Sequence, residues 1–154
     1  MSDTGWLDED EQQAWRAFLR LQGQLTARLN RQLQADSGLS LADYEVLVAL
    51  TDTSEGRLRP FELQRDLQWE QSRLSHHLTR MQRRDLVRRE ECPEDGRGAF
   101  IVLTETGRQA IEAAAPGHVG AVRHLFFDGL TPDQVTALRR LSDQLLDRLD
   151  ALPR

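Results

Sequence analysis

The sequence predicts a mainly α fold with one small antiparallel β-hairpin: a compact lobe in the middle of the chain and long helices on either side of it. Three observations carry this reading. Apolar residues recur at steps of three and four through most of the 154 residues, the spacing of helix faces and not of strands. Residues 86–103 break the pattern, with short apolar runs flanking a turn rich in Pro, Asp and Gly. Three of the apolar stripes are longer than the core of so small a chain can cover, which makes a second copy the natural partner.

The elements follow in order. Residues 8–34 read as a long first helix: Asp8, Glu9, Asp10 and Glu11 crowd its first turn, where acids complement the helix dipole, and Trp15, Phe18, Leu21, Leu25, Leu29 and Leu33 form one stripe. Gly38 supplies a left-handed cap. Ser40 opens the second helix with Asp43 three residues on, and Tyr44, Leu47, Val48 and Leu50 face inward. After a turn at residues 52–56, Leu58-Arg59 reads as a short strand able to pair with the hairpin. Pro60 then suits the first position of a short helix to Leu67, with Phe61, Leu63 and Leu67 as its apolar residues. A tight link follows at residues 68–70, where Trp69 reads as a packing residue, and the next helix covers residues 71–84. Together these two helices make a helix-turn-helix pair.

That second helix is the most informative element. Leu74, Leu78 and Met81 give it a narrow apolar face, while Ser72, His76, Thr79 and Arg83 fall opposite, with Ser75 and Arg80 on the flanks. Such side chains reach base edges and phosphates. From Arg73 to Arg89 there are six arginines and one acid, in a chain whose net charge is −5. A positive segment in an acidic protein points to a polyanion met at one place. A charged outer face is by itself most often only a solvated one. Here, however, residues 86–88 read as a strand, residues 92–98 as a turn, and Phe100, Ile101, Val102 and Leu103 as the returning strand. Helix, strand, turn and strand in this order describe a winged helix, in which the helix enters the major groove and the wing lies over the minor groove.

Past Thr104 a helix runs to about Phe127, with Ile111, Ala115, His118, Val122 and Leu125 on one face; Pro116 inside it predicts a bend near residues 112–117. Thr131, Pro132 and Gln134 start the last helix, and Leu138, Leu141, Leu145, Leu149 and Leu152 give it a stripe close to a heptad pattern. The expected organisation is an N-terminal dimerisation helix over 1–36, a winged helix-turn-helix DNA-binding lobe over 37–104, and C-terminal dimerisation helices over 105–154.

Several motifs are similar to those of a known family. Asp95-Gly96-Arg97-Gly98, followed by Val102-Leu103-Thr104-Glu105-Thr106-Gly107, resembles the D-x-R-G…L-T-x-x-G wing of the MarR (multiple antibiotic resistance regulator) family. Ser72-Arg73-Leu74-Ser75-His76 and Met81-Gln82-Arg83-Arg84-Asp85-Leu86-Val87 resemble that family's recognition helix and its exit. The resemblance covers nearly the whole chain. It implies a homodimeric, ligand-responsive repressor on a palindromic operator in double-stranded DNA. Ser72, Ser75, His76 and Thr79 are then expected to face bases, and Arg73, Arg80 and Arg83 to lie nearer phosphates. Arg97 is expected to enter the minor groove, where a guanidinium senses width and potential. Asp95 can hold the fork of Arg97 or cap the turn, while Gly96 and Gly98 permit the tight backbone. The resemblance also implies a small aromatic or phenolic effector between the dimer helices and the lobe, with Trp15 as a candidate lining residue.

Other chemistry is not supported. The sequence has one cysteine, Cys92, flanked by Glu90, Glu91 and Glu94, which oppose a thiolate; it reads as inert. His76 and His77 diverge on their helix, as do His118 and His124, so no metal-ligand spacing appears. No phosphate loop, G-x-S-x-G elbow or carboxylate pair suggests an enzyme or a cofactor. No apolar run is long enough for a membrane span, and the N-terminus lacks the regions of a signal peptide, so a cytoplasmic protein is expected. The competing expectation is a dimeric winged-helix adaptor that binds protein instead of DNA, for which the overall acidity speaks.

Overall fold

The computed structural model describes residues 5–92 and 98–154. Among these, the order is α1 (Glu9–Ser37), α2 (Leu41–Thr51), β1 (Arg57–Leu58), α3 (Pro60–Leu67), α4 (Gln71–Arg83), β2 (Val87–Glu91), β3 (Ala99–Leu103), α5 (Glu105–Leu125) and α6 (Pro132–Ala151), with a 3-10 turn at Phe127–Gly129.

The helix ends follow from local chemistry. Asp8 caps α1, accepting from the Glu11 amide at 2.8 Å while Glu11 accepts from the Asp8 amide at 2.9 Å. Gly38 closes the helix in the left-handed conformation, so α1 runs three residues beyond the expected Gln34. Ser40 and Asp43 form the same reciprocal box on α2 at 2.9 Å each way, and Thr131 and Gln134 form it on α6. Each box satisfies amides that the first helical turn leaves without partners.

The sheet has the order β1-β3-β2 and is antiparallel throughout, with Val87 opposite Leu103 and Glu91 opposite Ala99. The short strand sits one residue earlier than the expected Leu58-Arg59. Arg59 is instead the N-cap of α3, and its amide donates to the Glu62 side chain at 3.1 Å, which removes it from the ladder.

Leu33, Leu39, Leu47, Leu50, Leu63, Met81 and Ile101 are almost wholly buried and join α1, α2, α3, α4 and β3 in one core. Each such side chain contributes roughly 1.5–3 kcal/mol of transfer free energy. Helix α2 buries Asp43, Tyr44, Val46, Leu47 and Leu50, on more than one face, as a helix in the middle of a lobe must. Of the three apolar residues of α3, Leu63 is buried, but Phe61 is 63% exposed.

Gly107, at the start of α5, lies against the end of the turn before β2. A Cβ there would stand 2.1 Å from the Leu86 carbonyl oxygen. The Thr104 hydroxyl helps fix this joint, donating toward the carbonyls of Asp85 and Leu86 and accepting from the Gly107 amide at 2.9 Å.

Two compact units are distinguished, one up to residue 118 and one from 119 to 154. In the first, the α1 stripe divides: Leu29 and Leu33 are buried, whereas Trp15, Phe18 and Leu21 are exposed. Helix α5 stays helical through Pro116. In the second, α6 has no buried side chain, and Leu138, Leu141, Leu145 and Leu149 all stand exposed.

Candidate nucleic-acid interface

The helix-turn-helix link is built by two residues. Gln68 takes a left-handed backbone, with φ 57°, and its side-chain amide donates back to the Arg65 carbonyl at the end of α3. Trp69 is buried beneath the link, so the chain turns over an indole and enters α4. Glu70 occupies the N-cap position without a side-chain hydrogen bond, and no acid stands in the first turn of α4. The first-turn amides of that helix are therefore left without a side-chain cap.

Helix α4 is amphipathic as expected, with one addition. Leu74, Leu78 and Met81 are buried, and so is His77. Ser72, Arg73, Ser75, His76, Thr79, Arg80 and Arg83 are all exposed. Thr79 spends its proton on the Ser75 carbonyl at 3.0 Å, which leaves its oxygen to accept. Arg73 lies over the Trp69 ring at 4.3 Å, and Arg80 reaches the Nδ1 atom of His77 at 3.2 Å.

Three of the six arginines counted from the sequence are engaged elsewhere. Arg84 pairs with Asp43 at 2.6 Å, Arg88 with Glu90 at 2.7 Å and Arg89 with Glu91 at 3.6 Å. The positive character of the exposed face thus rests on Arg73, Arg80 and Arg83. The sequence places Asp43 only in the capping box of α2; its contacts with Arg84 and His77 are what sequence reasoning missed. Burial alone would raise its pKa, but His77, the Ser40 amide and Arg84 together hold the carboxyl well below the usual carboxylate range.

The hairpin stands beside this helix. The Cys92 amide donates to the Gly98 carbonyl at 3.2 Å, and Gly98 has φ 102°, a conformation in which a side chain would be strained. Asp95, Gly96 and Arg97 lie outside the described residues. Toward the turn end of the hairpin, where Phe100 stands opposite Glu90, Arg57 and Arg59 both lie over the Phe100 ring, at 4.4 and 4.5 Å. A cavity of about 490 Å³ opens between α3, α4 and the hairpin, lined among others by Arg59, Phe61, Gln64, Ser75, Thr79 and Arg89. Its lining mixes these hydrogen-bonding side chains with apolar Pro60, Leu74, Leu78 and Ala99.

Two further cavities lie along α1 and α2. One, of about 970 Å³, has Leu25, Leu29 and Val48 on its walls with Tyr44, Glu45 and His118 among its polar groups. The other, of about 560 Å³, includes Leu19, Leu41, Glu45 and Arg73. Burial raises the pKa of Tyr44 and of Glu45, the latter against the pull of Arg73 and His77, and lowers that of His118. Trp15 lies further toward the start of α1 than either cavity, exposed and 6.0 Å from the Phe18 ring. Among the described residues no group of His, Cys, Asp or Glu could hold a metal ion, and no helix is long and apolar enough to cross a membrane.

Comparison with known proteins agrees with this geometry. A sequence model of the MarR family matches residues 37–98. AbsC, a MarR family transcriptional regulator from Streptomyces coelicolor, is 41% identical, with a TM-score of 0.88 over 96% of this chain and 99% of its own. Sco3205, from the same organism and solved in complex with DNA, is 40% identical with a TM-score of 0.88, covering 94% and 90% of the two chains. The HTH-type transcriptional repressor YetL of Bacillus subtilis is 28% identical over 115 residues, 75% of this chain and 68% of its own. With a buried helix-turn-helix joint, a polar exposed face on α4 and a hairpin beside it, the chain belongs to the MarR family of transcriptional regulators.

Proposed function

We propose that this protein is a sequence-specific DNA-binding transcriptional regulator, acting as a homodimer on a palindromic operator and serving as a ligand-responsive repressor rather than an enzyme. The observation that carries the reading is the exposed face of α4, where Ser72, Ser75, His76 and Thr79 stand in line beside Arg73, Arg80 and Arg83. Support comes from the relative solved with DNA at 40% identity. In this reading the first group meets bases and the second meets phosphates, while Arg97 enters the minor groove from a wing shaped by Asp95, Gly96 and Gly98. Its working place is the cytoplasm, where the operator is.

The dimer is supported by the exposed stripes of α1 and α6, which a monomer would leave in water. Residues 1–36 and 105–154 are assigned to it, and residues 37–104 to the DNA-binding lobe. The cavities along α1 and α2 are the places for a small aromatic or phenolic effector; Trp15 would reach such a ligand only from the dimer side. Selection of bound fragments from genomic DNA, followed by a gel shift with and without salt, tests the reading. A palindromic consensus with salt-sensitive binding supports it, and a protein that enriches no DNA argues for the adaptor role instead.

A further inference from the structure

Arg80 and His77 stand three residues apart on α4 but in opposite surroundings, since Arg80 is exposed and His77 is only 7% exposed. The Nη2 atom of Arg80 lies 3.2 Å from His77 Nδ1. A guanidinium has donors only, so in this contact Nδ1 is the acceptor and Nε2 is the ring nitrogen left to donate. That atom lies 2.9 Å from Asp43 Oδ1, off the hydrogen-bond line but within reach of the carboxylate's field. The ring also meets Trp69 edge-on, with centroids 5.5 Å apart and planes at 90°. A carboxylate on α2 and an indole in the α3–α4 link thus fix the imidazole from two directions. Asp43 is itself fixed by the Ser40 amide at 2.9 Å and by Arg84 at 2.6 Å.

A long side chain loses rotamer freedom when it docks on a ligand, and an acceptor that fixes it beforehand removes part of that loss. We propose that His77 is a positioning residue for DNA recognition: its Nδ1 aims the Arg80 guanidinium across the exposed face of α4, while Asp43 and Trp69 hold the imidazole still. The inference rests on the reading of α4 as the DNA-contacting helix. It assigns a role in recognition to a side chain that touches no DNA.

The test uses the full chain and a duplex selected by the wild-type protein, with Arg80→Ala, His77→Gln, His77→Asn and the double variant Arg80→Ala/His77→Gln. Glutamine places its amide where Nε2 stood and leaves nothing at Nδ1, whereas asparagine places an oxygen where Nδ1 stood and keeps the acceptor. Arg80→Ala and His77→Gln should each weaken binding by about five- to tenfold. The double variant should be no weaker than Arg80→Ala alone, and His77→Asn should stay within about twofold of wild type. Losses that multiply in the double variant, equal damage from Asn and Gln, or wild-type affinity in His77→Gln overturn the inference. A merely structural His77 would produce the multiplied losses, together with parallel falls in the unfolding midpoints of both His77 variants. Wild-type affinity in Arg80→Ala overturns the inference at its DNA contact but leaves the rest of the face in place. Failure of the wild-type protein to select any duplex overturns the DNA reading itself.

Discussion

Arg84 donates to the Asp43 carboxylate at 2.6 Å across 41 residues of sequence, and its other Nη reaches the Gly38 carbonyl at 2.8 Å. One guanidinium therefore joins the end of α4 to the cap of α1 and the first turn of α2. Arg84 is half-exposed, whereas the Asp43 side chain is 4% exposed. Losing Arg84 leaves a buried charge short of a partner; losing Asp43 leaves an arginine that can turn to water.

Arg84→Met should accordingly cost about 2–3 kcal/mol, at the low end for a broken buried pair because the arginine is partly solvated. Asp43→Ala should cost a similar amount, since it also opens the capping box on α2. Urea unfolding followed by far-ultraviolet circular dichroism measures both.

Two groups should make stability fall as pH is lowered, while Glu45, whose pKa burial raises, works in the opposite sense between its folded pKa and the ordinary 4.5. Burial lowers the His118 pKa, so the unfolded chain takes up a proton first as pH drops through about 6.5. That contribution is full above this pH and declines below it. Asp43 has its pKa depressed, so its contribution is full above the ordinary value of 3.8 and is lost as pH falls further. Urea midpoints between pH 7.5 and 3 test this, and His118→Gln should remove the first decline only.

Gly107→Ala should destabilise although alanine favours a helix by about 1 kcal/mol. The added methyl would meet the Leu86 carbonyl oxygen at 2.1 Å, and backbone must move to admit it. A net loss of about 2 kcal/mol is expected, read as a fall in the thermal midpoint.

Leu145→Glu should break the dimer. Leu145 is 50% exposed in the single chain and belongs to the α6 stripe, so a charge there would be buried at the proposed interface. Sedimentation velocity should show a monomer, and operator affinity should drop with the loss of the second half-site.

Much of the fold was legible because its signals are local. The Ser40–Asp43 and Thr131–Gln134 boxes, the Gly38 cap and Pro60 at the start of α3 each lie within a few residues of what they control. The Asp43–Arg84 pair was not legible, since nothing in the spacing of two charges 41 residues apart brings them together. Arg84 was for that reason counted with the DNA-facing charge. His77 carried a signal that went unread: it falls between Leu74, Leu78 and Met81 on the same face, and its polarity hid its place in the buried stripe. Phe61 failed in the other direction, an apolar residue left exposed at the mouth of the cavity between α3, α4 and the hairpin.

The central claim is that the exposed face of α4 reads DNA. Its most direct test is fluorescence anisotropy with the selected operator across a range of salt concentrations, comparing wild type with Arg83→Ala and with Ser72→Ala/His76→Ala. The account predicts that Arg83→Ala lowers the slope of log affinity against log salt by about one unit, and that the Ser72/His76 variant keeps its slope but loses discrimination between operator and scrambled duplex. Unchanged slope and unchanged discrimination in both variants would contradict it.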